Sequence, residues 1–203
     1  MAIDCSQFHL VNVIDTCAIW NVLSSQRLIS AAKAAKCHFS ATTFVYYEAL
    51  HKPRTAATKE DVELQKCLQK EREAGLFGNC SLDISDLQEI DILERRIRVG
   101  KGELSSIAFA KKAGLAFMTD DQKARKLGSG VIGSSRVQTT PHLCGWLFFI
   151  GKLSDSDKSI VIHEHERYGG PLRTHFETMY NEALRCRLMA IRGGPKSGIA
   201  GPA

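Results

Sequence analysis

The sequence predicts an α/β fold: a three-layer sandwich in which helices cover both faces of a central, mainly parallel β-sheet. Short apolar segments alternate with helix-compatible segments along most of the chain, which is typical of this class. The apolar segments are nearly continuous rather than alternating, as in strands that are buried on both faces. The chain has 203 residues, 44% hydrophobic and 24% charged, a composition ordinary for a globular protein.

The first predicted strand, residues 10–14 (LVNVI), is an apolar run that ends at Asp15. The next segment, residues 18–29, is apolar and compatible with a helix. A second strand is predicted at residues 37–41. The threonines that follow it are suited to cap a helix that carries Glu48.

The middle of the chain shows the clearest helical periodicity. Residues 58–73 place apolar side chains against charged ones, and Gly75 is suited to end that helix. A third strand at residues 79–84 and a charged amphipathic helix at residues 86–99 complete this part of the predicted fold.

Two glycines then mark a turn before a predicted helix over residues 103–113. A short apolar strand at residues 115–118 follows, then a basic helix at residues 122–127 and a last strand at residues 137–140. Pro141 lies where proline is favoured, in the first turn of the next helix.

The predicted domain organisation has three parts. Residues 1–153 form the α/β domain, residues 154–192 form a polar C-terminal helical extension, and residues 193–203 are a disordered tail rich in Gly and Pro.

The bulk composition limits the classes of protein. A formal charge of +5 suits a polyanionic partner without requiring one. The seven cysteines form no CxxC pair, which disfavours a disulfide framework or a cysteine-based zinc site. No signal peptide or membrane-spanning run is evident, so we expect a cytoplasmic protein with no membrane association.

Acidic residues occur where the predicted fold brings elements to one edge. Asp15 ends one strand, Asp120 and Asp121 end another, and Glu103 opens a helix, while Glu48 lies on the helix after the second strand. Ligands of parallel sheets bind beyond the carboxyl ends of the strands. Clustered carboxylates repel unless a cation lies between them, so the sequence predicts a site for Mg²⁺ or Mn²⁺.

Each acid also has an ordinary structural interpretation. An Asp after a strand is often a helix cap, which applies to Asp15, Asp120 and Asp121. Glu103 is placed to interact favourably with a helix dipole, and Glu48 alone is best read as solvated. Their joint order carries the prediction.

Four segments resemble the PIN-domain ribonuclease family over about residues 10–153. They are VNVIDTCAIWNVL, TTFVYYEAL, GKGELSSIAFAKKAGLAFMTDDQKARKLG and VQTTPHLCGWLFFIGKL, the last of which resembles the closing strand and helix. The third segment is the most specific, because a Gly-Glu step replaces the commoner helix Asp and Thr-Asp-Asp follows.

The resemblance implies a metal-dependent endoribonuclease. It implies that the metal-binding and catalytic acids are Asp15, Glu48, Glu103 and either Asp120 or Asp121. Thr16 and Thr119 are implied as supporting residues, with the Thr16 hydroxyl holding Asp15 or a metal-bound water. RNA is the implied substrate, and a toxin role with an antitoxin-like partner, or a homodimer, is compatible with the family.

The sequence also contains further candidate binding residues and is compatible with rival functions. Lys101, Lys123 and Arg125 are candidate phosphate contacts, as are Lys52, Arg54 and Lys126. The run HEHE at residues 163–166 lacks the HExxH spacing of zinc helices and is read as a polar surface segment. The main rival function is a catalytically weak PIN-fold module that binds RNA or protein, and a second rival is a nuclease of another fold with similar acidic spacing.

Overall fold

The computed structural model of the protein describes residues 4–52 and 57–192. These residues contain one five-stranded sheet with the strand order β3-β2-β1-β4-β5, and every neighbouring pair is parallel. The strands are β1 (Val11–Ile14), β2 (His38–Thr42), β3 (Phe77–Cys80), β4 (Ala116–Met118) and β5 (Val137–Gln138). The predicted α/β class is confirmed, and the described sheet is wholly parallel.

Ten α-helices occur in the described part of the chain. They are α1 (Thr16–Leu23), α2 (Gln26–Ala34), α3 (Thr43–Tyr46), α4 (Lys59–Glu73), α5 (Ile84–Glu94), α6 (Lys101–Ala113), α7 (Gln122–Ile132), α8 (Thr140–Phe149), α9 (Asp157–Arg167) and α10 (Arg173–Arg192). A π-helical turn (Tyr47–His51) follows α3, and a 3₁₀ turn (Ser134–Arg136) precedes β5. None of the described helices is long and apolar enough to cross a membrane.

The helices form a layer on each face of the sheet, with a separate hydrophobic core between each layer and the sheet. Successive strand residues point to opposite faces, so Val13 of β1 belongs to the core with α6 and α7, while Ile14 belongs to the core with α1, α2 and α8. Three layers result, as predicted.

The bounds of several elements differ from the sequence prediction. The single helix expected over residues 18–29 is two helices, because Ser25 takes an extended conformation and its hydroxyl caps α2 by accepting the N–H of Leu28 at 3.1 Å. The third strand begins earlier than predicted, at Phe77, where it pairs with Phe39 of β2. Helix α7 continues to Ile132, beyond the predicted end.

The C-terminal extension consists of α9 and α10, and their apolar side chains join the core beneath α1, α2 and α8. Phe176 of α10 is 1% exposed within that core. Gly145 of α8 allows close packing, because an added Cβ there would lie 2.9 Å from the carbonyl oxygen of Met179 in α10. The predicted tail, residues 193–203, lies outside the described residues, and the boundary at residue 153 stays a prediction.

We expect Phe176→Ala to lower the free energy of unfolding by about 3–5 kcal/mol, the usual cost of emptying a buried aromatic site. Urea denaturation followed by circular dichroism measures this change. Ile191→Ala is the matched control on the same helix, because Ile191 is 79% exposed and such changes usually stay within about 0.5 kcal/mol. An extension that is not part of the core would give equal midpoints for the two variants.

Candidate functional site

The two central strands bring the predicted acids to one edge of the sheet. β1 and β4 pair in parallel with Ile14 opposite Met118, so the residues that follow them leave the sheet side by side. The N–H of Asp15 donates to the carbonyl of Met118 at 3.2 Å and extends the ladder by one bond. Asp15 therefore lies beside the segment that carries Asp120 and Asp121.

Asp15 is both a helix cap and a buried acid with a free oxygen. Its Oδ1 accepts the N–H of Ala18 at 2.8 Å and so caps α1. The residue is 0% exposed, and its Oδ2 has no hydrogen-bond partner among the described residues. Desolvation raises the pKa of Asp15 to about 8, and the charges of Asp120 and Glu103 add to the shift, while the Thr119 hydroxyl and the Ala18 N–H oppose it.

Glu48 is held in place by hydrogen bonds from two other elements. It lies on the π-helical turn after α3, where Thr42 caps the short helix. Its Oε2 accepts the hydroxyl of Thr16 at 2.9 Å, and its Oε1 accepts the N–H of Gly102 at 3.2 Å. Thr16 thus binds Glu48, and no hydrogen bond joins it to Asp15 among the described residues.

Glycine at position 102 is required by this arrangement, because a Cβ there would overlap the carboxylate of Glu48. Gly102 is buried in the first turn of α6. Gly102 therefore lets the Glu48 carboxylate lie close to the backbone of α6, and the next residue of that helix, Glu103, supplies a second acid.

Glu103 contributes the second free oxygen, since its Oε2 is buried and has no hydrogen-bond partner in the described structure. Desolvation raises the pKa of Glu103 above its usual value, and the charges of Glu48 and Asp121 raise it further, while the main-chain N–H groups of Glu103 and Gly100 oppose the shift. Glu103 is therefore close enough to feel the charges of acids on two other elements, Glu48 on the π-helical turn and Asp121 at the start of α7.

Asp120 and Asp121 have different surroundings. Asp120 accepts three hydrogen bonds: the Thr140 N–H at 2.9 Å, the Thr140 hydroxyl at 2.6 Å and the Asn21 amide at 2.8 Å. Asp121 caps α7 through Oδ1, which accepts the N–H of Ala124 at 2.7 Å. The N–H of Asp121 donates to the Thr119 hydroxyl at 3.1 Å.

Sequence reasoning missed two residues that position Asp120, namely Asn21 and Thr140. The sequence predicts Thr140 only as part of the last strand, whereas its place beyond that strand and before Pro141 puts it at the same edge as the acids. Asn21 gave no signal, because it is 99 residues from Asp120 in sequence.

The acids form one electrostatic cluster. The pKa of the Cys17 thiol is raised to about 12, first by desolvation and then by the negative charges of four of these acids. No group of three or more His, Cys, Asp or Glu residues in the described ranges could hold a metal ion as the side chains stand. The donors are nevertheless of the hard type that Mg²⁺ and Mn²⁺ prefer, and the free oxygens of Asp15 and Glu103 are buried without partners.

Three of the candidate phosphate contacts lie on helices that begin near the acids, Lys101 on α6 and Lys123 and Arg125 on α7. Lys101 is exposed at the start of α6 and forms an ion pair with Glu94 at 3.5 Å. Lys123 is exposed and Arg125 is half-buried, both on α7 directly after Asp121. Arg54 lies outside the described residues.

The HEHE run is a structural element, and its interpretation as a polar surface segment is wrong for His165. That residue is 1% exposed on α9. Its Nδ1 lies 2.6 Å from the Ser24 hydroxyl, and its Nε2 accepts the N–H of Leu172 at 3.3 Å. Desolvation lowers the pKa of His165, so the imidazole is a neutral core residue that ties α9 to the end of α1.

Comparisons of the chain with protein-family models, with curated proteins and with solved structures found no match.

We expect the metal-free protein to lose stability as the pH rises from about 4 to about 8, in part because of Asp15. A carboxyl group with a raised pKa holds its proton in the folded state and releases it in the unfolded state, so deprotonation favours unfolding. Asp15→Asn keeps a capping oxygen and removes the charge. In EDTA at pH 8 it should stabilise the protein by roughly 1 kcal/mol or more, whereas at pH 4 the gain should vanish.

Thermal denaturation of both proteins across this pH range checks the prediction. Asp91→Asn, which removes an exposed acid on α5, controls for net charge. A constant difference between Asp15→Asn and the parent at all pH values would show that Asp15 is not held protonated by burial.

Proposed function

We propose that the protein is a metal-dependent ribonuclease that hydrolyses RNA phosphodiester bonds at the acidic edge of the sheet. The observation that carries this proposal is the pair of buried carboxylate oxygens without partners, Asp15 Oδ2 and Glu103 Oε2. An unpaired buried carboxylate is costly. A bound cation would offset this cost and the mutual repulsion of the acids.

The residues suited to hold the cation are Asp15 and Glu103, together with Asp121. Asp121 is preferred to Asp120, because its Oδ2 takes part in no hydrogen bond within the described structure, whereas both oxygens of Asp120 accept hydrogen bonds. Glu48 adds negative charge next to Glu103 while its own oxygens stay directed by Thr16 and Gly102.

When bound at such a site, Mg²⁺ or Mn²⁺ lowers the pKa of a coordinated water and neutralises charge on a phosphate. The chain supplies the orientation. Asn21 and Thr140 fix Asp120, and the cap at Ala18 fixes the Asp15 carboxylate, so the acids are held by main-chain and side-chain donors from both strand ends. Rigid placement of this kind is what charge stabilisation in a transition state requires.

A cleft beside Glu48 supports a single-stranded nucleic acid as the substrate. It has a volume of about 490 Å³ and is lined by Tyr47, Phe44, Lys52 and Lys101 as well as Glu48. Tyr47 is 54% exposed, and exposed aromatic side chains bind single strands by stacking on their bases. The two lysines are suited to bind phosphates, which agrees with the net charge of +5. The choice of RNA over DNA rests on the family resemblance.

We expect the purified chain to cleave end-labelled single-stranded RNA in Mn²⁺ and to lose this activity in EDTA. Asp15→Asn and Glu103→Gln should each reduce cleavage by more than about 100-fold. The loss of a residue that only orients a metal ligand already costs up to about 100-fold, and these two residues are proposed as ligands. Asp91→Asn is the control, since it changes the net charge equally at an exposed position on α5. Full activity in Asp15→Asn would rule out the proposed centre.

A second candidate function is a binding module without efficient turnover. The observation that favours it is that the carboxylates do not already form a group able to hold a metal in the described residues. Mn²⁺ titration followed by thermal denaturation separates the two functions. A nuclease of the proposed kind should melt at a higher temperature in Mn²⁺, and this increase should be absent in Glu103→Gln. A binding module should bind RNA equally well in EDTA and show neither effect.

Gly102→Ala should impair the site more than it impairs the fold. An alanine at a helical glycine usually stabilises by about 0.5–1 kcal/mol, but here the methyl group would displace the Glu48 carboxylate. We expect cleavage to fall by about 10–100-fold, as for loss of a partner that orients a metal ligand, while the protein still folds.

Gly130→Ala is the matched control, because Gly130 is a helical glycine of α7 with no atom within 4 Å of an added Cβ. It should raise the melting temperature and leave cleavage unchanged. Equal activities of the two alanine variants would contradict a role for Glu48.

A further inference from the structure

A second cleft lies beside the edge strand β5, and none of the five acids of the candidate site lines it. It has a volume of about 680 Å³ and opens between the N-terminal segment, β5 and the first turns of α8. This volume falls within the usual range for small-molecule sites, about 300–1,000 Å³. Thr139 lines the cleft, and the next residue, Thr140, holds Asp120, so one loop connects the cleft with the acidic edge.

Aromatic rings form one wall of this cleft. The ring of Phe8 stacks on that of Trp146, with centroids 5.2 Å apart and an interplanar angle of 23°. His142 meets Phe8 edge-on at 5.4 Å. Phe8 is only half-buried, so part of its ring remains available to a flat ligand.

Two hydrogen bonds hold this aromatic wall in place in the absence of a ligand. Cys5 is 0% exposed, and its thiol donates to the carbonyl of Met179. The His142 Nε2 lies 3.1 Å from the carbonyl oxygen of Asp4. Both contacts fasten the N-terminal segment to the helices behind it.

One residue that lines the cleft has an unsatisfied hydrogen-bond acceptor. Gln138 of β5 is 2% exposed and lines the cleft, and its Oε1 has no hydrogen-bond partner among the described residues. Leaving a buried acceptor unpaired costs about 1–3 kcal/mol. A ligand that donates an N–H to this oxygen would recover that cost.

The lining also limits the charge of the ligand. No Lys or Arg is among the described residues that line the cleft, whereas Asp4 is. The cleft therefore suits a neutral heteroaromatic ring with an N–H donor rather than a phosphate. The amide of glutamine pairs with the edge of adenine in two places, since its oxygen accepts from N6 and its nitrogen donates to N7.

We propose that this cleft binds an adenine ring, with Gln138 as the residue that recognises its edge and Phe8 as the stacking surface. The ring can come from a base of RNA or from a free adenine nucleoside or nucleotide. In the RNA case the inference rests on the nuclease function proposed above and assigns it a preference for adenine near the scissile bond.

Tryptophan fluorescence tests binding directly, without cleavage. The chain has two tryptophans, so Trp20→Phe leaves Trp146 in the cleft wall as the only reporter. Titration with adenosine should change its fluorescence in a saturable way, AMP should bind with similar affinity, and uridine should bind much more weakly. Gln138→Leu should weaken adenosine binding at least about fivefold, the lower bound for losing a two-point base contact.

The melting temperature of Gln138→Leu serves as the folding control for this experiment. Gln138→Leu should melt no lower than the parent, because it removes a buried acceptor that has no partner. Phe8→Ala should weaken adenosine binding independently. Gln69→Leu, an exposed glutamine on α4, should leave binding unchanged.

The source of the adenine ring is tested with hexauridine and with the same oligonucleotide carrying one adenine. Both are titrated against Asp15→Asn in EDTA, so that no cleavage occurs. Tighter binding of the adenine oligonucleotide, lost on adding Gln138→Leu, assigns the ring to RNA. Binding of adenosine without this preference assigns it to a free nucleoside or nucleotide.

Equal binding of adenosine and uridine, or no saturable change with either, would overturn the proposal. The outcome is separable from that of the nuclease proposal. If the parent protein cleaves RNA but Gln138→Leu does not change adenosine binding, only the proposal of an adenine site is rejected. If the protein binds adenosine but never cleaves RNA, only the nuclease proposal is rejected.

Discussion

The parallel pairing of β1 with β4 is the constraint on which the site depends. The chain leaves β3 at one side of the sheet and crosses β2 and β1 to form β4 beside β1, and α5 and α6 lie within that crossover. The same topology thus delivers Asp15, Glu103 and Asp121 to one edge. A shift of this pairing by one residue would send the side chains of β4 to the opposite face and would separate Asp15 from its neighbours.

Most of the acids at this edge have a local structural role as well as a place in the cluster. Asp15 and Asp121 cap the helices that follow their strands, and Glu48 joins the π-helical turn to Thr16 and Gly102. Capping uses one carboxylate oxygen and leaves the other available. The same carboxylates therefore stabilise helices by capping them and destabilise the fold by repelling one another. A cation bound to the free oxygens would reduce this repulsion and leave the caps intact.

The C-terminal helices and the acidic edge share a chain of hydrogen bonds. His165 of α9 contacts the Ser24 hydroxyl, which donates to the carbonyl of Asn21 at 2.7 Å. The side chain of Asn21 in turn donates to Asp120. The extension thus packs against the helix that positions one of the acids, and its role in the molecule includes supporting that helix. Gly170 lies against the ring of His165, where a Cβ would overlap it.

The fold class, the two strands that precede Asp15 and the Asp120–Asp121 pair, and the end of α6 near residue 113 could all be predicted from the amino-acid sequence. Periodicity, capping residues and glycines act over a few neighbouring residues, so these features are local. Three other features are visible only in the folded molecule: Thr16 binds Glu48, Asn21 binds Asp120 across 99 positions, and His165 is buried. Such partners depend on how helices pack across the sheet, and local patterns carry no information on packing between distant segments. For the same reason the free oxygens of Asp15 and Glu103 could not be read from the chain.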